Sequence, residues 1–314
     1  MGTLGNVGKA LGIVGGLAAA GLAYAHVETK LFRVRRVVMP VLPPGQRPIR
    51  VLHVSDLHLT PSQRTKQAWV RSLAELAPDL VINTGDNFGH ERALAPLLDV
   101  LGPLMDVPGA FVMGSNDYYA PSFKNPARYL LKDARVKSAE AEKVPLPADA
   151  LAKAFTDSGW VDLDNDRGRV ELRDGRTIGL VGMDDPHLDR DLMPESGRVP
   201  GEENAVLRLG VVHAPYQRVL NQLRNDGVDA IIAGHTHGGQ LCLPFYGALV
   251  TNCDLDRGRA SGLHGWPGPR PDREGGEDST WLQVSAGAGT SPYAQVRFAC
   301  RPEATLMTLT ARAV

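Results

Sequence analysis

Two histidines in a glycine-rich segment are the first residues whose types and spacing could do chemistry. Residues 233–240 read Ala-Gly-His-Thr-His-Gly-Gly-Gln and directly follow the apolar run 228–233, which predicts a short buried strand. His235 and His237 then lie on the loop at the carboxyl end of that strand, where open α/β sheets place their ligand sites. Because glycine tolerates a positive φ, a turn here can aim both imidazoles at one centre. Since neutral imidazole is a frequent ligand of transition metals, this segment predicts a metal site.

Four strand ends further upstream also have side chains that can bind metal. They follow the apolar runs 49–54, 79–84, 110–113 and 207–212, which alternate with helical patterns. Each motif alone is weak, but five strands that all end in Asp, His or Asn are hard to explain by chance. Mixed oxygen and nitrogen ligands suit two divalent first-row metal ions, and there are too many ligands for one tetrahedral ion. The predicted ligands are Asp56, His58, Asp86, Asn116, His213, His235 and His237.

This series of motifs resembles that of the calcineurin-like metallophosphoesterases, which are two-metal phosphohydrolases. The matching segments are Asp-x-His at 56–58, Gly-Asp-Asn at 85–87, Gly-Ser-Asn-Asp at 114–117, Val-His-Ala-Pro at 212–215 and Gly-His-Thr-His at 234–237. The form Gly-His-Thr-His-Gly-Gly-Gln resembles a bacterial branch whose members often begin with a membrane or export segment. The resemblance continues through 285–291 and 300–303, and so covers most of residues 50–310. It implies a four-layer α/β/β/α sandwich with the metal pair at the edge of its central sheets.

The resemblance also implies a division of the ligands between two ions, which can be Mn, Fe or Zn. Asp56, His58 and His237 would hold one ion, while Asn116, His213 and His235 would hold the other; Asp86 would bridge them. A bridging carboxylate holds such ions about 3.5–4 Å apart, and the pair lowers the pKa of a shared water to give hydroxide. Asn116 and the region of His213 are the expected catalytic contacts to phosphate. No further cofactor is expected.

The third motif departs from the family pattern, which reads Gly-Asn-His followed by Asp or Glu. Here the residues are Gly114, Ser115, Asn116 and Asp117. We favour Asn116 as the metal ligand, with Ser115 as ligand and Asn116 facing the phosphate as the alternative. The missing histidine would remove general-acid help, which typically contributes about 10²–10⁴-fold. That loss matters least for leaving oxygens of low pKa, as in aryl esters and pyrophosphates.

Residues 10–27 form an uncharged, mostly apolar stretch preceded by Lys9. The stretch is short for a membrane span and rich in Gly and Ala, and residues 23–25 also suit a signal-peptide cleavage site. The alternative is a buried Gly/Ala helix. We predict a membrane anchor or signal segment at 1–30 and a metallophosphoesterase domain at 31–314, with a lid insertion at 118–160. Within that insertion, residues 125–135 suggest an amphipathic helix, with Arg128 the first residue to test. We favour an ordinary solvated helix; the alternative is a lid over the site that binds a second phosphate or a lipid surface.

Charge and cysteine content exclude other classes. Lys and Arg number 34 against 35 Asp and Glu, so the net charge of −1 gives no basic field and no nucleic acid partner is expected. Three distant cysteines predict no disulfide framework. Residues 258–279, rich in Gly, Pro and charge, are predicted as a mobile loop, and His187 as an exposed residue.

The predicted function is hydrolysis of a phosphodiester or pyrophosphate bond by a membrane-associated or exported enzyme. The partners are a phosphorylated small-molecule or lipid substrate and the membrane, whose side the sequence leaves open. The alternative is a metal-binding scaffold protein at the membrane that has lost most of its turnover, and it depends on the altered third motif at 114–117.

Overall fold

The structure is a computed structural model that describes residues 2–121, 143–290 and 292–313, without the side chains of residues 2–11, 13 and 14. Its strands are β1 (Arg33–Leu42), β2 (Ile49–Val54), β3 (Leu80–Asn83), β4 (Gly109–Phe111), β5 (Val161–Asp162), β6 (Arg167–Glu171), β7 (Thr177–Met183), β8 (Leu207–Val212), β9 (Ala230–Ala233), β10 (Cys242–Leu243), β11 (Gly247–Ala248), β12 (Gly262–Trp266), β13 (Thr280–Val284) and β14 (Glu303–Ala311). Its helices are α1 (Gly2–Glu28), α2 (Arg64–Ser72), α3 (Leu94–Met105), α4 (Ser115–Tyr118), α5 (Ala148–Asp157) and α6 (Gln217–Asn225).

Two six-stranded sheets form the centre of the domain. The first has the order β1-β14-β2-β3-β4-β5 and the second the order β12-β13-β9-β8-β7-β6. Strands β2 to β5 are parallel to one another, as are β7, β8, β9 and β13. Because the carboxyl ends of parallel strands meet at one edge of a sheet, the loops after β2, β3 and β4 lie together, and so do those after β8 and β9.

The two sheets pack face to face and helices cover their outer faces. Apolar side chains of both sheets, such as Val51, Ile82 and Leu209, form one buried cluster between them. A second cluster joins the outer face of the first sheet to α2, α3 and α5, and a third joins the second sheet to α6. This arrangement is the four-layer α/β/β/α sandwich, so the predicted fold class is confirmed.

Helix α1 is attached to the domain at its carboxyl end. The buried carboxylate of Glu28 accepts hydrogen bonds from the backbone N–H groups of Ala299, at 3.0 Å, and Cys300, at 2.7 Å. The ring of Tyr24 packs edge-on against Phe298, with the centroids 5.7 Å apart. In the part of the chain that the structure describes, no helix has both the length and the apolarity needed to cross a membrane. This finding does not support a membrane-spanning form of the anchor predicted at 1–30.

The prediction of a mobile loop at 258–279 is wrong for its first half. Strand β12 pairs antiparallel with β13, with Leu263 opposite Gln283. Trp266 is buried, and its indole N–H donates to Asn221 Oδ1 at 2.9 Å. The glycines and prolines around this strand favoured a loop in the sequence analysis. The short alternation of apolar residues between them is nevertheless enough to form an edge strand. The predicted helix at 125–135, including Arg128, lies outside the described residues.

Candidate metal centre

Four predicted ligands from three distant parts of the chain meet at the carboxyl edge of the two sheets. Asp56, His58, Asp86 and His237 each offer one ligand atom, and these atoms all lie within 4.8 Å of one another. The Nε2 atom of His58 is 3.2 Å from that of His237 and 3.4 Å from Asp86 Oδ2. The Nε2 atom of His237 is 3.6 Å from Asp56 Oδ1. Two carboxylates and two imidazoles in a buried space are a donor set that suits a divalent first-row metal ion.

Two further histidines lie beside the Asp86 carboxylate. His213 Nε2 is 3.7 Å from Asp86 Oδ2 and 3.2 Å from His235 Nδ1. The same carboxylate oxygen therefore lies near both His58 and His213. This is the placement that a carboxylate shared between two cations requires.

Asn116 is also at the site, with its amide nitrogen toward Asp86. Its Nδ2 donates to Asp86 Oδ2 at 2.9 Å, and its backbone N–H donates to Oδ1 at 2.7 Å. Ligation would use the amide oxygen, which a half-turn of the amide group exchanges with the nitrogen. The hydroxyl of Ser115 is 3.4 Å from the same Nδ2 atom. The structure thus brings all seven predicted residues together and leaves both alternatives for the third motif open.

Backbone strain is concentrated at this site. The φ angle is positive at five of the predicted ligands, namely Asp56 (50°), His58 (38°), Asp86 (56°), His235 (68°) and His237 (51°). Such a conformation costs about 1–3 kcal/mol at each non-glycine residue, and it persists only where the surrounding structure enforces it. We expected glycine to supply this turn. Gly238 (62°) and Gly239 (83°) do adopt a positive φ, and the two histidines of 235–237 adopt it as well. The strain at the histidines points to a functional constraint on their direction.

Gly234 permits the close approach of the two central strand ends. A Cβ atom there would lie 2.0 Å from Ser55 Oγ and 2.7 Å from Asp56 Oδ2. The backbone N–H of the next residue, His235, donates to both carboxylate oxygens of Asp56, at 3.2 and 3.1 Å. The glycine therefore allows the histidine loop to dock directly on the first carboxylate.

Backbone carbonyls fix the outer nitrogens of three histidines. His213 Nδ1 is 2.6 Å from the carbonyl oxygen of Thr84. His237 Nδ1 is 3.2 Å from that of Gly289, and His235 Nε2 is 3.2 Å from that of Asn252. A histidine that donates one ring N–H to a carbonyl presents the other nitrogen, unprotonated, to a metal.

Asp117 and Arg297 are structural residues of the site that the sequence did not reveal as such. The buried Asp117 carboxylate accepts the backbone N–H groups of Asp86 (2.8 Å), Asn87 (2.8 Å) and Gly114 (3.0 Å), and so joins the second and third motifs. Arg297 is fully buried and donates to the carbonyl oxygens of residues 286, 287 and 289. The position of Asp117, three residues after Gly114, could have indicated its role, whereas no feature of the sequence indicated the role of Arg297.

Burial keeps most of the imidazoles neutral. Desolvation lowers the pKa of His58 to about 4 and holds the pKa values of His235 and His237 well below the ordinary histidine value. Burial also opposes protonation of His213, but the carboxylates of Asp86, Asp185 and Asp56 prevail and raise its pKa to about 9. The negative charge of these carboxylates favours the protonated form of His213, and a divalent cation at the site would neutralise the same charge.

The prediction that His187 is exposed is wrong. It is half-buried, its ring centroid lies 4.8 Å from that of His235, and its Nδ1 is 3.1 Å from the hydroxyl of Tyr216. The turn after β7 brings it there, because the buried Asp185 accepts its backbone N–H at 2.9 Å. A histidine near a strand end gives no indication of whether its turn folds toward the site.

Comparison with known proteins agrees with this geometry. Residues 49–239 match the model of the calcineurin-like phosphoesterase family. The chain is 24% identical over 317 residues to the UDP-2,3-diacylglucosamine pyrophosphatase LpxG of Chlamydia trachomatis, covering 90% of each chain. It is 25% identical over 298 residues to the phosphodiesterase YaeI of Escherichia coli, covering 93% of each. It is 30% identical over 223 residues to a transmembrane protein with a metallophosphoesterase domain from Bos taurus, covering 66% of this chain and 45% of that protein.

The family model spans more than half of the chain, and its residues include the four-residue metal cluster. The predicted resemblance and the predicted class of metal-dependent phosphoesterase are therefore confirmed. The chain belongs to the calcineurin-like phosphoesterase family.

Proposed function

We propose that this protein hydrolyses phosphodiester or pyrophosphate bonds at a centre of two divalent metal ions. The observation that supports this most directly is the position of Asp86 Oδ2, which lies 3.4 Å from His58 Nε2 and 3.7 Å from His213 Nε2. One carboxylate oxygen between two groups of imidazoles suits two cations better than one. Mn, Fe and Zn all accept these ligands.

The ligands divide into two groups around Asp86 in this proposal. Asp56, His58 and His237 would hold one ion, and His213, His235 and Asn116 the other. When bound, the ion pair supplies a water of lowered pKa and neutralises charge on the phosphate oxygens. The protein itself holds the donors in place through the carbonyl contacts of His213 and His237 and through the three N–H groups bound by Asp117.

Asn116 and His213 are the proposed contacts to the phosphate. Asn116 stands where the family has its histidine, and its amide can donate a hydrogen bond to a phosphate oxygen but cannot protonate a leaving group. Substrates whose leaving oxygen has a low pKa therefore fit best, as in pyrophosphates and aryl esters. The names of LpxG and YaeI, a pyrophosphatase and a phosphodiesterase, support the two proposed bond types.

We further propose that the substrate is lipid- or nucleotide-linked and that the protein acts at a membrane or after export. The uncharged stretch 10–27 and the transmembrane relative from Bos taurus support this placement. Residues 1–30 would then be the anchor or signal segment, and residues 31–314 the catalytic domain with its insertion at 118–160.

The test compares the parent protein with Asp86→Asn in the hydrolysis of bis(p-nitrophenyl) phosphate with Mn²⁺, Fe²⁺ or Zn²⁺. Asp99→Asn is the matched control, because Asp99 is an exposed carboxylate paired with Arg71 on the helix layer. Turnover by the parent and control, with loss of most of it in Asp86→Asn, supports the enzyme. Absence of turnover by the folded parent with every metal supports the alternative, a metal-binding scaffold.

A further inference from the structure

A cavity of about 300 Å³ adjoins the metal centre at the carboxyl end of α1. Gly289 lines it, and the carbonyl of the same residue faces His237 Nδ1 at 3.2 Å. Lys66 lines it as well, and its ammonium donates to the carbonyl of Leu57 at 2.7 Å, between Asp56 and His58. The cavity is therefore joined to the metal cluster through Gly289, which contacts His237, and through Lys66, which contacts Leu57.

The cavity is lined by cations without matching carboxylates. Lys30, Arg64 and Lys66 contribute to its wall, and none of its lining residues is Asp or Glu. None of the described residues forms a salt bridge with these three side chains. Burial and the positive charge of Arg297 lower the pKa of Lys66 to about 7, so the exposed Lys30 and Arg64 supply most of the positive charge of the wall. Charges held together in this way create a strong local positive field, which attracts an anion.

The remaining polar groups of the cavity suit an anion that accepts many hydrogen bonds. Hydroxyl groups come from Ser62, Thr65 and Thr290 and an amide group from Gln63, whereas the lining residues Thr29 and Gln295 donate to backbone carbonyls. Phe32 forms part of the wall and stacks on Trp69, with the ring centroids 4.9 Å apart. Phosphate oxygens bound by lysine and arginine form charge-assisted hydrogen bonds, which are stronger than neutral ones. The volume is at the lower end for a ligand pocket and admits a phosphate with part of its substituent.

We infer that this cavity binds a phosphate group other than the one that is hydrolysed. The bound phosphate can have two sources. The first is a non-reacting phosphate of the substrate itself, and in that case the inference rests on the proposed function. The second source of the same chemistry is the headgroup of an anionic lipid, because Thr29 and Lys30 follow directly on α1. In both cases Lys30 and Arg64 bind the phosphate from the solvent side, while the buried Lys66 forms the floor of the cavity.

The test uses a double variant, Lys30→Gln with Arg64→Gln, in which both exposed cations become neutral side chains of similar size. Lys153→Gln is the control, because Lys153 is an exposed lysine on α5, paired with Asp157 and absent from the cavity wall. Lys66 is left unchanged, since removing its hydrogen bond to Leu57 could disturb the fold itself.

The first measurement compares KM for bis(p-nitrophenyl) phosphate, which has one phosphate, with KM for diadenosine tetraphosphate, which has non-reacting phosphates as well. If the bound phosphate belongs to the substrate, the ratio of the second KM to the first rises about tenfold in the double variant and stays constant in the control. The second measurement is cosedimentation with phosphatidylcholine vesicles, with and without phosphatidylglycerol. If the phosphate belongs to a lipid, the double variant loses the extra binding that phosphatidylglycerol gives the parent.

A change in either measurement supports the cavity as a phosphate site and identifies the source. An unchanged KM ratio together with unchanged dependence on phosphatidylglycerol overturns the inference. If the parent hydrolyses neither compound, the proposed function fails on its own, and the vesicle measurement alone then decides the inference.

Discussion

The Nε2 atoms of His58 and His237 lie 3.2 Å apart, although the two residues are 179 positions apart in the chain. Both residues have a positive φ, and burial keeps the pKa of each imidazole below its ordinary value. Two neutral imidazoles that face each other can share at most one proton, and the carboxylates of Asp56 and Asp86 are close by. A cation between these four groups satisfies all of them at once, and this is the physical basis of the first prediction.

Replacing His237 with alanine should remove one metal ion. We expect the bound metal to fall from about two ions per chain to about one, because the second group of ligands around His213 is left intact. Hydrolysis of bis(p-nitrophenyl) phosphate should fall with it. The measurement is the metal content by plasma mass spectrometry after dialysis against metal-free buffer.

His264→Gln is the matched control for this prediction, because His264 lies on β12, where its Nε2 is 2.9 Å from the carbonyl oxygen of Ser261. Metal content equal to that of the parent in His237→Ala would contradict the ligand assignment.

The third motif gives a second prediction, which separates Asn116 from Ser115. Asn116 has two contacts to Asp86, whereas the Ser115 hydroxyl has one long contact to Asn116. If Asn116 is the ligand and phosphate contact, Asn116→Ala should lower kcat by about 10²-fold or more, as the loss of a catalytic group commonly does. Ser115→Ala should change kcat only a few-fold. The reverse order, measured with the same aryl phosphodiester, would make Ser115 the ligand.

Much of the fold and of the site could be predicted from local patterns. The apolar runs at 49–54 and 207–212 were found as β2 and β8 with the same bounds, because buried parallel strands are short and continuously apolar. The predicted ligands lie together because each follows a strand, and the carboxyl ends of neighbouring parallel strands must meet.

The rest depended on contacts between distant segments, which no local pattern encodes. Arg297 reads as an ordinary surface arginine until the loop at 286–289 folds around it. His187 is placed by the turn after β7, and β12 by its pairing with β13. The left-handed backbone of His235 and His237 was also beyond prediction, because local sterics alone disfavour it. Tertiary contacts offset the free-energy cost of this conformation, as they do at other functional sites.

Gly234→Ala should disrupt the site by steric contact alone. The added methyl group would overlap Ser55 Oγ and crowd Asp56 Oδ2. We expect the free energy of unfolding to fall by about 1–3 kcal/mol, as overpacking usually costs, together with weaker metal binding. Gly102→Ala is the control, because that glycine lies in α3 with open space around its Cβ position. It should leave metal binding unchanged and raise stability by up to about 1 kcal/mol. Equal behaviour of the two variants in urea unfolding would contradict the close approach.

His53 should make the protein less stable as the pH falls. It is fully buried on β2, its Nε2 is 2.9 Å from Thr84 Oγ1, and its Nδ1 has no hydrogen-bond partner among the residues that the structure describes. Burial lowers its pKa to about 3. The unfolded chain, with a histidine pKa of about 6.5, therefore takes up a proton between these two values that the folded chain does not, and stability falls by about 1.4 kcal/mol per pH unit in that range.

The measurement for this prediction is the free energy of unfolding in urea at several pH values from 7 down to about 4.5. This range crosses the unfolded-state pKa of histidine, which is about 6.5. His53→Gln retains a polar group opposite Thr84 but has no proton to gain, so its stability should decrease less steeply with falling pH than that of the parent. Other buried histidines also destabilise the folded state at low pH, but they do so equally in both proteins, so the difference in slope reports His53 alone. Parallel curves for the two proteins would show that His53 is protonated in the folded state as readily as in the unfolded chain.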